Sequence, residues 1–318
     1  MGTQSTQMLS RAELIGKFYE RMELQEPSAM LAGLTEYVPS GAASNIYKMT
    51  GMVPRLKESN GAQTAEALTI NSFEIRNKDY DAALRIPRND LRRDQTGQLN
   101  TRIAEFSLEG EDHWFELAAT LIENGTSGVC YTGLPFFSAS HVEGDSGIYS
   151  NLWVAGDTPA LNVGTATAPT AYEFAMAIMQ IIPKFYAYKD DRGRPRNRRA
   201  KKFLVTVPVG LMGPAMFALA NPVLDTGSGT VNNPLLNKKF QIDIEVDPNL
   251  TWTDKFTVAR TDSNLKALIR QEEEKVTPEV FGPESEYFRM NREALIKIFT
   301  SRNMGYGCPW LMGLATFS

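Results

Sequence analysis

The stretch TRIAEFSLEGEDHWFELAATLIEN, residues 101–124, carries the clearest helical pattern in the chain. Its apolar residues recur at helical spacing, and they are Ile103, Phe106, Trp114, Leu117, Leu121 and Ile122. The Asn124-Gly125 pair is a typical helix end. Gly110 weakens the pattern, because an interior glycine costs about 1 kcal/mol relative to alanine. We predict a long amphipathic helix over residues 101–124.

Two arm-like segments precede this helix. Ser10 and Glu13 form a capping box ahead of apolar residues at helical spacing, which predicts an amphipathic helix over residues 10–24 whose apolar stripe needs a partner. Residues 26–45 are interrupted by proline and glycine and have no steady period, which indicates an extended arm.

Strand-like patterns follow over residues 46–95. Leu68, Ile70, Phe73 and Ile75 are spaced about two apart, which favours half-buried strands, and Asn60-Gly61 is a strong turn signal. We interpret this region as a long, charged β-arm with two sides.

The region after the long helix mixes both kinds of element. Residues 125–169 are rich in loop-forming residues, and Thr170 is suited to cap a helix that ends at Pro183. A short apolar helix over residues 210–220 and several strands follow, so an α+β fold is predicted.

Composition excludes several classes of protein. The chain has 318 residues, 33 Lys and Arg against 37 Asp and Glu, and therefore a net charge of −4, which is unsuited to a surface devoted to nucleic acid. Its two cysteines, Cys130 and Cys308, do not form a disulfide framework, so a reducing compartment is expected. Because there is no secretory signal and no stretch of about 18 apolar residues, we expect synthesis in the cytoplasm and no membrane contact.

Enzymatic sites find little support. The tetrapeptide 144–147, GDSG, matches a serine-protease nucleophile loop. His141 lies only four residues before Asp145, however, and the segment is better interpreted as a surface turn. A serine hydrolase using Ser146 is a third alternative. The sequence has no ligand cluster for zinc and no glycine-rich phosphate loop. His113 is expected to be structural. We expect no catalytic residues, metal or cofactor.

The strongest charge feature is KFYAYKDDRGRPRNRRAKK, residues 184–202, with nine basic residues against two aspartates. Such a segment can neutralise phosphates, contact an acidic patch on another subunit, or remain solvated. A candidate acidic partner is QEEE, residues 271–274. A nucleic-acid-binding protein that uses residues 184–202 is the alternative function.

Three stretches resemble a known family. They are GLPFFSASHVEGDSGIYSNLW (residues 133–153), DDRGRPRNRRAKKFLVTVPVGL (residues 190–211) and FRMNREALIKIFTSRNMGYGCPWLMGLATFS (residues 288–318). Their order and patterns are similar to the major head subunit of Mu-like tailed phages, the gpT type. Arg196 stands where that family tends to have an apolar residue.

The resemblance implies an α+β Hong Kong 97-like capsid fold. The implied divisions are an N-terminal arm at 1–45, an E-loop at 46–95, a peripheral domain at 96–164 with a spine helix at 101–124, a mainly axial domain at 165–300, and a closing strand at 301–318.

The resemblance also implies a function. We expect a structural, non-enzymatic major capsid protein that forms hexamers and pentamers of an icosahedral phage head enclosing double-stranded DNA, which it contacts non-specifically. Scaffold, portal and decoration proteins are the expected partners. Assembly is expected in the host bacterial cytoplasm, with the protein ending in the virion.

Extended arms support this expectation, because isolated strands and a lone amphipathic helix do not repay their ordering entropy. The residues expected to contact other subunits are Leu14, Ile15, Phe18, Arg55, Lys57, Arg92, Arg93, Arg194, Arg196, Arg198, Arg199, Glu272, Glu273 and Glu274.

Overall fold

The structure is a computed structural model that describes residues 11–23, 28–51, 70–93, 98–154, 161–236 and 239–318. The helices in these ranges are α1 Arg11–Glu23, α2 Ala29–Leu34, α3 Arg88–Arg93, α4 Gln98–Glu123, α5 Ala171–Ala187, α6 Met212–Ala220 and α7 Glu286–Asn291. The strands are β1 Thr35–Pro39, β2 Ser44–Thr50, β3 Ile70–Arg76, β4 Lys78–Pro87, β5 Leu152–Trp153, β6 Lys202–Val207, β7 Val223–Asp225, β8 Thr230–Asn232, β9 Gln241–Val246, β10 Lys255–Arg260, β11 Leu268–Phe281, β12 Glu293–Tyr306 and β13 Met312–Thr316.

A four-stranded sheet contains the long strands of the second half of the chain. Its order is β1-β11-β12-β4, with β1 parallel to β11 and the other pairs antiparallel. β4 alternates between exposed and more buried positions, as expected of a strand with one covered face. Helices α1 and α4 pack together beside this sheet.

A five-stranded mixed sheet has the order β5-β13-β10-β6-β9. In β6 the five residues after Lys202 are all buried, which is the pattern of a strand covered on both faces. Helix α5 contributes apolar residues to the same core, among them Phe174, Ile178 and Phe185.

The strand pair β2–β3 forms an antiparallel ribbon that leads directly into β4. Tyr47 and Phe73 stack across this pair with their ring centroids 5.4 Å apart. Alternation is visible in β3, where Phe73 is partly buried and Ile75 is buried. The predicted turn at Asn60-Gly61 lies outside the described residues.

The described residues form two hydrophobic cores, and α4 contributes to both. The larger core lies around the five-stranded sheet and includes Trp114 and Ile122 of α4. The smaller core lies beside the four-stranded sheet and includes Ile103 of α4 together with Leu14 and Phe18 of α1. The helix predicted over residues 101–124 is therefore confirmed, with an earlier start at Gln98.

Helix α4 continues through Gly110 without interruption. Strands β11 and β12 approach the helix at this residue. A Cβ at this position would lie 2.8 Å from Cγ2 of Val276 in β11. The Gly110 carbonyl accepts a hydrogen bond from Nη2 of Arg302 in β12, at 2.5 Å. Arg302 also donates through Nε to Nδ1 of His113, at 3.1 Å. Burial, together with the charge of Arg302, lowers the pKa of His113 to about 4, so this histidine is a neutral structural acceptor.

Two local predictions differ from the structure. Thr170 does cap α5, since its hydroxyl accepts from the backbone N–H of Glu173, but the helix continues through Pro183 to Ala187. An interior proline costs about 3 kcal/mol. The burial of Phe185 in the turn that follows offsets this cost. The expected division at residue 301 falls within β12, which runs unbroken from Glu293 to Tyr306.

No described helix has the length and apolar character to cross a membrane.

Candidate assembly surfaces

Helix α1 does not present its apolar stripe to solvent. Leu14 and Phe18 are 0% exposed within the single subunit, and Ile15 is partly buried against the same core. Phe18 lies edge-to-face with Phe106 of α4. This placement corrects the expectation that Leu14 and Phe18 contact a neighbouring subunit, since their side chains have no free surface to offer.

The basic segment 184–202 is divided between internal and exposed residues. Asp190 is fully buried and accepts hydrogen bonds from the backbone N–H groups of Arg192 and Arg194. The Arg194 side chain pairs with the same carboxylate, with Nε 3.1 Å from Oδ2. Arg194 therefore stabilises its own loop, and its contact with another subunit stays a prediction.

Arg196 is the central residue of a buried ion pair. Its two terminal nitrogens donate to the two oxygens of Glu143, at 3.0 and 2.8 Å, and the side chains are only 3% and 12% exposed. The guanidinium lies over the ring of Trp310. Such bidentate pairs are among the stronger hydrogen-bonded interactions in proteins. Arg196 is thus also internal, and its charge is compensated by Glu143 within the same subunit.

The surroundings of Glu143 favour its charged form. Burial by itself would raise the pKa of this carboxyl, but hydrogen bonds and charge from Arg196, with hydrogen bonds from the hydroxyls of Tyr149 and Tyr131, outweigh it and lower the pKa. Tyr149 and Tyr131 donate to Oε1 at 2.7 and 3.0 Å. The ion pair between Arg196 and Glu143 joins the segment around residue 143 to the basic loop. Both segments belong to the stretches that carry the family resemblance.

Arg198 and Arg199 lie just after Arg196 in the basic segment, and both are exposed. They make no ion pair with any of the described residues. Of the four arginines expected to contact other subunits from this loop, these two have side chains free to do so.

The acidic run at residues 271–274 is divided in a similar way. Glu272 is 9% exposed, accepts a hydrogen bond from the Tyr37 hydroxyl at 2.7 Å, and lies 3.9 Å from Arg302. It is therefore an internal residue, contrary to expectation. Glu273 and Glu274 are exposed and stay candidates for contact with another subunit.

The remaining predicted contact residues are only partly described. Arg92 is exposed on α3, and Arg93 ends the same helix. Arg55 and Lys57 lie outside the described residues. Their proposed contacts stay predictions.

The GDSG turn has no catalytic arrangement. The Ser146 hydroxyl donates to the Gly147 carbonyl at 2.7 Å and accepts from the backbone N–H of Glu143 at 2.9 Å. The ring nitrogens of His141 lie 3.1 Å from the Phe136 carbonyl and 3.1 Å from the Thr132 hydroxyl, not beside the serine. Both residues are buried within the turn that they stabilise. Across the described ranges, no group of three His, Cys, Asp or Glu residues is arranged to hold a metal ion.

Helix α6 presents an apolar surface that sequence reasoning missed. Val209, Met212, Met216 and Phe217 are 57%, 42%, 49% and 60% exposed. Met212 and Met216 are four residues apart and therefore share one face of α6, and Val209 lies in the short 3₁₀ turn that precedes the helix. The 22 residues from 203 to 224 contain no charged side chain, and this uncharged run was the signal available in the sequence. Large exposed apolar patches mark interaction sites, and methionine and phenylalanine are enriched in interface cores.

The sequence matches a known family over nearly half of its length. Residues 15–167 match the family described as the Mu-like prophage major head subunit gpT. Over this range the chain is similar to the Mu-like major head subunits. The resemblance to this family of structural head proteins is confirmed over residues 15–167, which include the first of the three stretches, residues 133–153.

Two curated proteins show the same similarity over shorter stretches. The major capsid protein of Escherichia phage Mu is 27% identical over 118 residues, which cover 37% of this chain and 39% of that protein. The Mu-like prophage FluMu major head subunit of Haemophilus influenzae is 31% identical over 107 residues, covering 34% of this chain and 35% of that protein. The aligned stretches thus span little more than a third of each relative.

The fold similarity covers much more of the chain. A procapsid structure of bacteriophage JBD30 aligns with 96% of this chain and 74% of its own, with a TM-score of 0.56 and 18% identity. The expected Hong Kong 97-like capsid fold of the α+β class is confirmed. These comparisons give no support to the nucleic-acid-binding alternative.

Proposed function

We propose that the chain is the major capsid protein of a tailed phage, which self-assembles into hexamers and pentamers of an icosahedral head around double-stranded DNA. The observation that carries this proposal is the match of residues 15–167 to the major head subunit family. The proposed role is structural and involves no catalysis. The protein would be assembled in the host cytoplasm and retained in the virion.

The apolar face of α6 supports self-association. Its exposed methionine and phenylalanine side chains lie in a run without charge, so the contact most favourable for them is another apolar surface. A subunit surrounded by identical copies can offer that surface repeatedly, because closed symmetric assemblies use the same patch on every subunit. Interfaces of this kind usually bury more than about 1,000 Å².

The mild negative charge of the chain is compatible with a DNA container. A net charge of −4 limits non-specific adhesion to packaged DNA while local cationic side chains remain available. Scaffold, portal and decoration proteins are the further partners that such a shell would require.

The test is assembly of the purified full chain. We expect electron microscopy and analytical ultracentrifugation to show shells, tubes or capsomers whose abundance rises with protein concentration. A folded protein that stays monomeric across that range, in the presence and absence of co-expressed head proteins, would contradict the proposal.

A further inference from the structure

An acidic pocket of about 400 Å³ lies between α4 and the end of β9. Its carboxylates are Asp112 and Glu116 of α4, Glu245 of β9, and Asp247 just after that strand. Met30, Phe115 and Val246 give it an apolar wall. None of the lysines and arginines that the structure describes lines it. The pocket therefore concentrates negative charge beside an aromatic ring.

Asp247 is the buried member of this group. It is only 2% exposed, and Oδ1 accepts a hydrogen bond from the backbone N–H of Asn249 at 2.9 Å. Oδ2 is buried and has no hydrogen-bond partner among the described residues. A buried carboxylate oxygen without a donor is unfavourable, so this atom marks a position where a donor is missing.

The other carboxylates of the pocket add to its uncompensated negative charge. Asp112 and Glu116 are four residues apart on α4, so two like charges share one helix face. Burial, with a further contribution from the charge of Asp247, raises the pKa of Glu245. Helix α4 carries six acidic residues and a single basic one, Arg102, which pairs with Glu105. The positive charge that the pocket needs is not supplied by this helix.

The chemistry of the pocket is suited to a guanidinium group. Metal binding is disfavoured, since no three of these carboxylates are arranged as metal ligands in the described structure. A guanidinium is planar, donates several hydrogen bonds in a fixed geometry to carboxylates, and stacks on aromatic rings such as Phe115. Phosphates and nucleic acid would be repelled.

The chain itself offers such groups at Arg198 and Arg199. Both are exposed, and neither lines the pocket of its own subunit. Their loop is fixed by Arg194 on Asp190 and by Arg196 on Glu143, so they stand on a rigid base. Resting on the proposed function, we propose that the acidic pocket of one subunit binds Arg198 and Arg199 of a second copy.

Charge reversal tests this contact in the assembling protein. Asp112→Lys with Glu116→Lys, and separately Arg198→Glu with Arg199→Glu, should each lower the assembled fraction at least about tenfold, as expected for the loss of one charged contact. The four changes together should restore assembly. Glu273→Lys with Glu274→Lys tests the competing acidic partner, and these two changes should not restore assembly to the arginine reversal. Thermal melting of each unassembled variant verifies that it folds.

A second measurement does not depend on assembly. The synthetic peptide PRNRRAKK, residues 195–202, should bind the unassembled full chain, and the Asp112→Lys, Glu116→Lys variant should lose that binding. Retained peptide binding, or rescue of the arginine reversal by the changes at Glu273 and Glu274 instead, would overturn the pocket assignment. A wild-type chain that binds the peptide through these residues but never assembles would contradict the proposed function and leave the pocket assignment standing.

Discussion

Helices α1 and α6 reverse the roles that their sequences favour. α1 is amphipathic and precedes the rest of the fold like an arm, yet its apolar stripe is covered by its own subunit. α6 is almost entirely apolar, and such a composition is typical of a buried helix. Nevertheless, the side chains of Met216 and Phe217 are about half exposed. An apolar stripe indicates that a partner surface is needed, but its periodicity does not reveal which chain provides that surface.

The difference arises from what each helix contacts. α1 meets β11 and the first half of α4, whose apolar residues would otherwise be open to water. In α6 the buried residues are the small Ala215 and Ala218, and Leu219 is partly buried against the larger core. Met212, Met216 and Phe217 are exposed. The small residues permit close packing of α6 against its own subunit. The large exposed side chains on the other face are then available to contact another molecule.

The largest expected effect is at Phe18 of α1. Phe18→Ala should lower the free energy of unfolding of the unassembled subunit by about 3–5 kcal/mol, because a fully buried aromatic ring is removed from the smaller core. Chemical denaturation measures this, with Met290→Ala on the exposed side of α7 as the control. Unchanged stability combined with lost assembly would show that the α1 stripe serves a neighbour after all.

An intermediate effect is expected at Gly110, on the helix that receives α1. Gly110→Ala would gain helix propensity, but its Cβ would lie 2.8 Å from Val276. We expect a net loss of about 1–3 kcal/mol in the free energy of unfolding, as for other overpacked sites. Val276→Ala in the same chain should recover part of that loss. A simple gain in stability from Gly110→Ala would show that this close approach is not maintained in solution.

The smallest effect on stability is expected at α6. Met212→Gln with Met216→Gln keeps the side-chain length on an exposed face, so the free energy of unfolding should change by no more than about 0.5 kcal/mol. Assembly, measured by light scattering, should fall sharply because polar amides would enter an apolar contact. Met290→Gln, at the most exposed methionine of the described chain, is the matched control and should assemble normally. Full assembly of the α6 variant would remove this face from the interface.

Local patterns in the sequence predict much of this fold. The helix over residues 101–124, the cap at Thr170 and the alternation in β3 all depend on neighbours within a few positions, and the structure confirms them. Pro183 was expected to end α5, because the rule for proline considers only the local helix. Burial of Phe185 comes from distant strands, and no local rule could reveal it.

The candidate contacts were harder to predict for the same reason. Arg196 counts as a free cation in the sequence, but its partner Glu143 lies 53 residues away and is brought close only by folding. Asp247 likewise gives no signal in the sequence, since its unpaired oxygen becomes evident only when α4 lies beside β9. Summed charge over a segment therefore overestimates how many of its side chains can reach another molecule.

The continuity of α4 has a mechanical consequence. At 1.5 Å per residue, its 26 residues form a rod of about 39 Å that is embedded in one core near each end and held near its middle by Arg302. The hydrogen bond from Arg302 connects the middle of α4 to β12, so a load applied to the four-stranded sheet is transmitted to the helix at Gly110. We expect such a load to tilt the rod as a whole, so that strain applied on one side of the subunit reaches the other as a rotation.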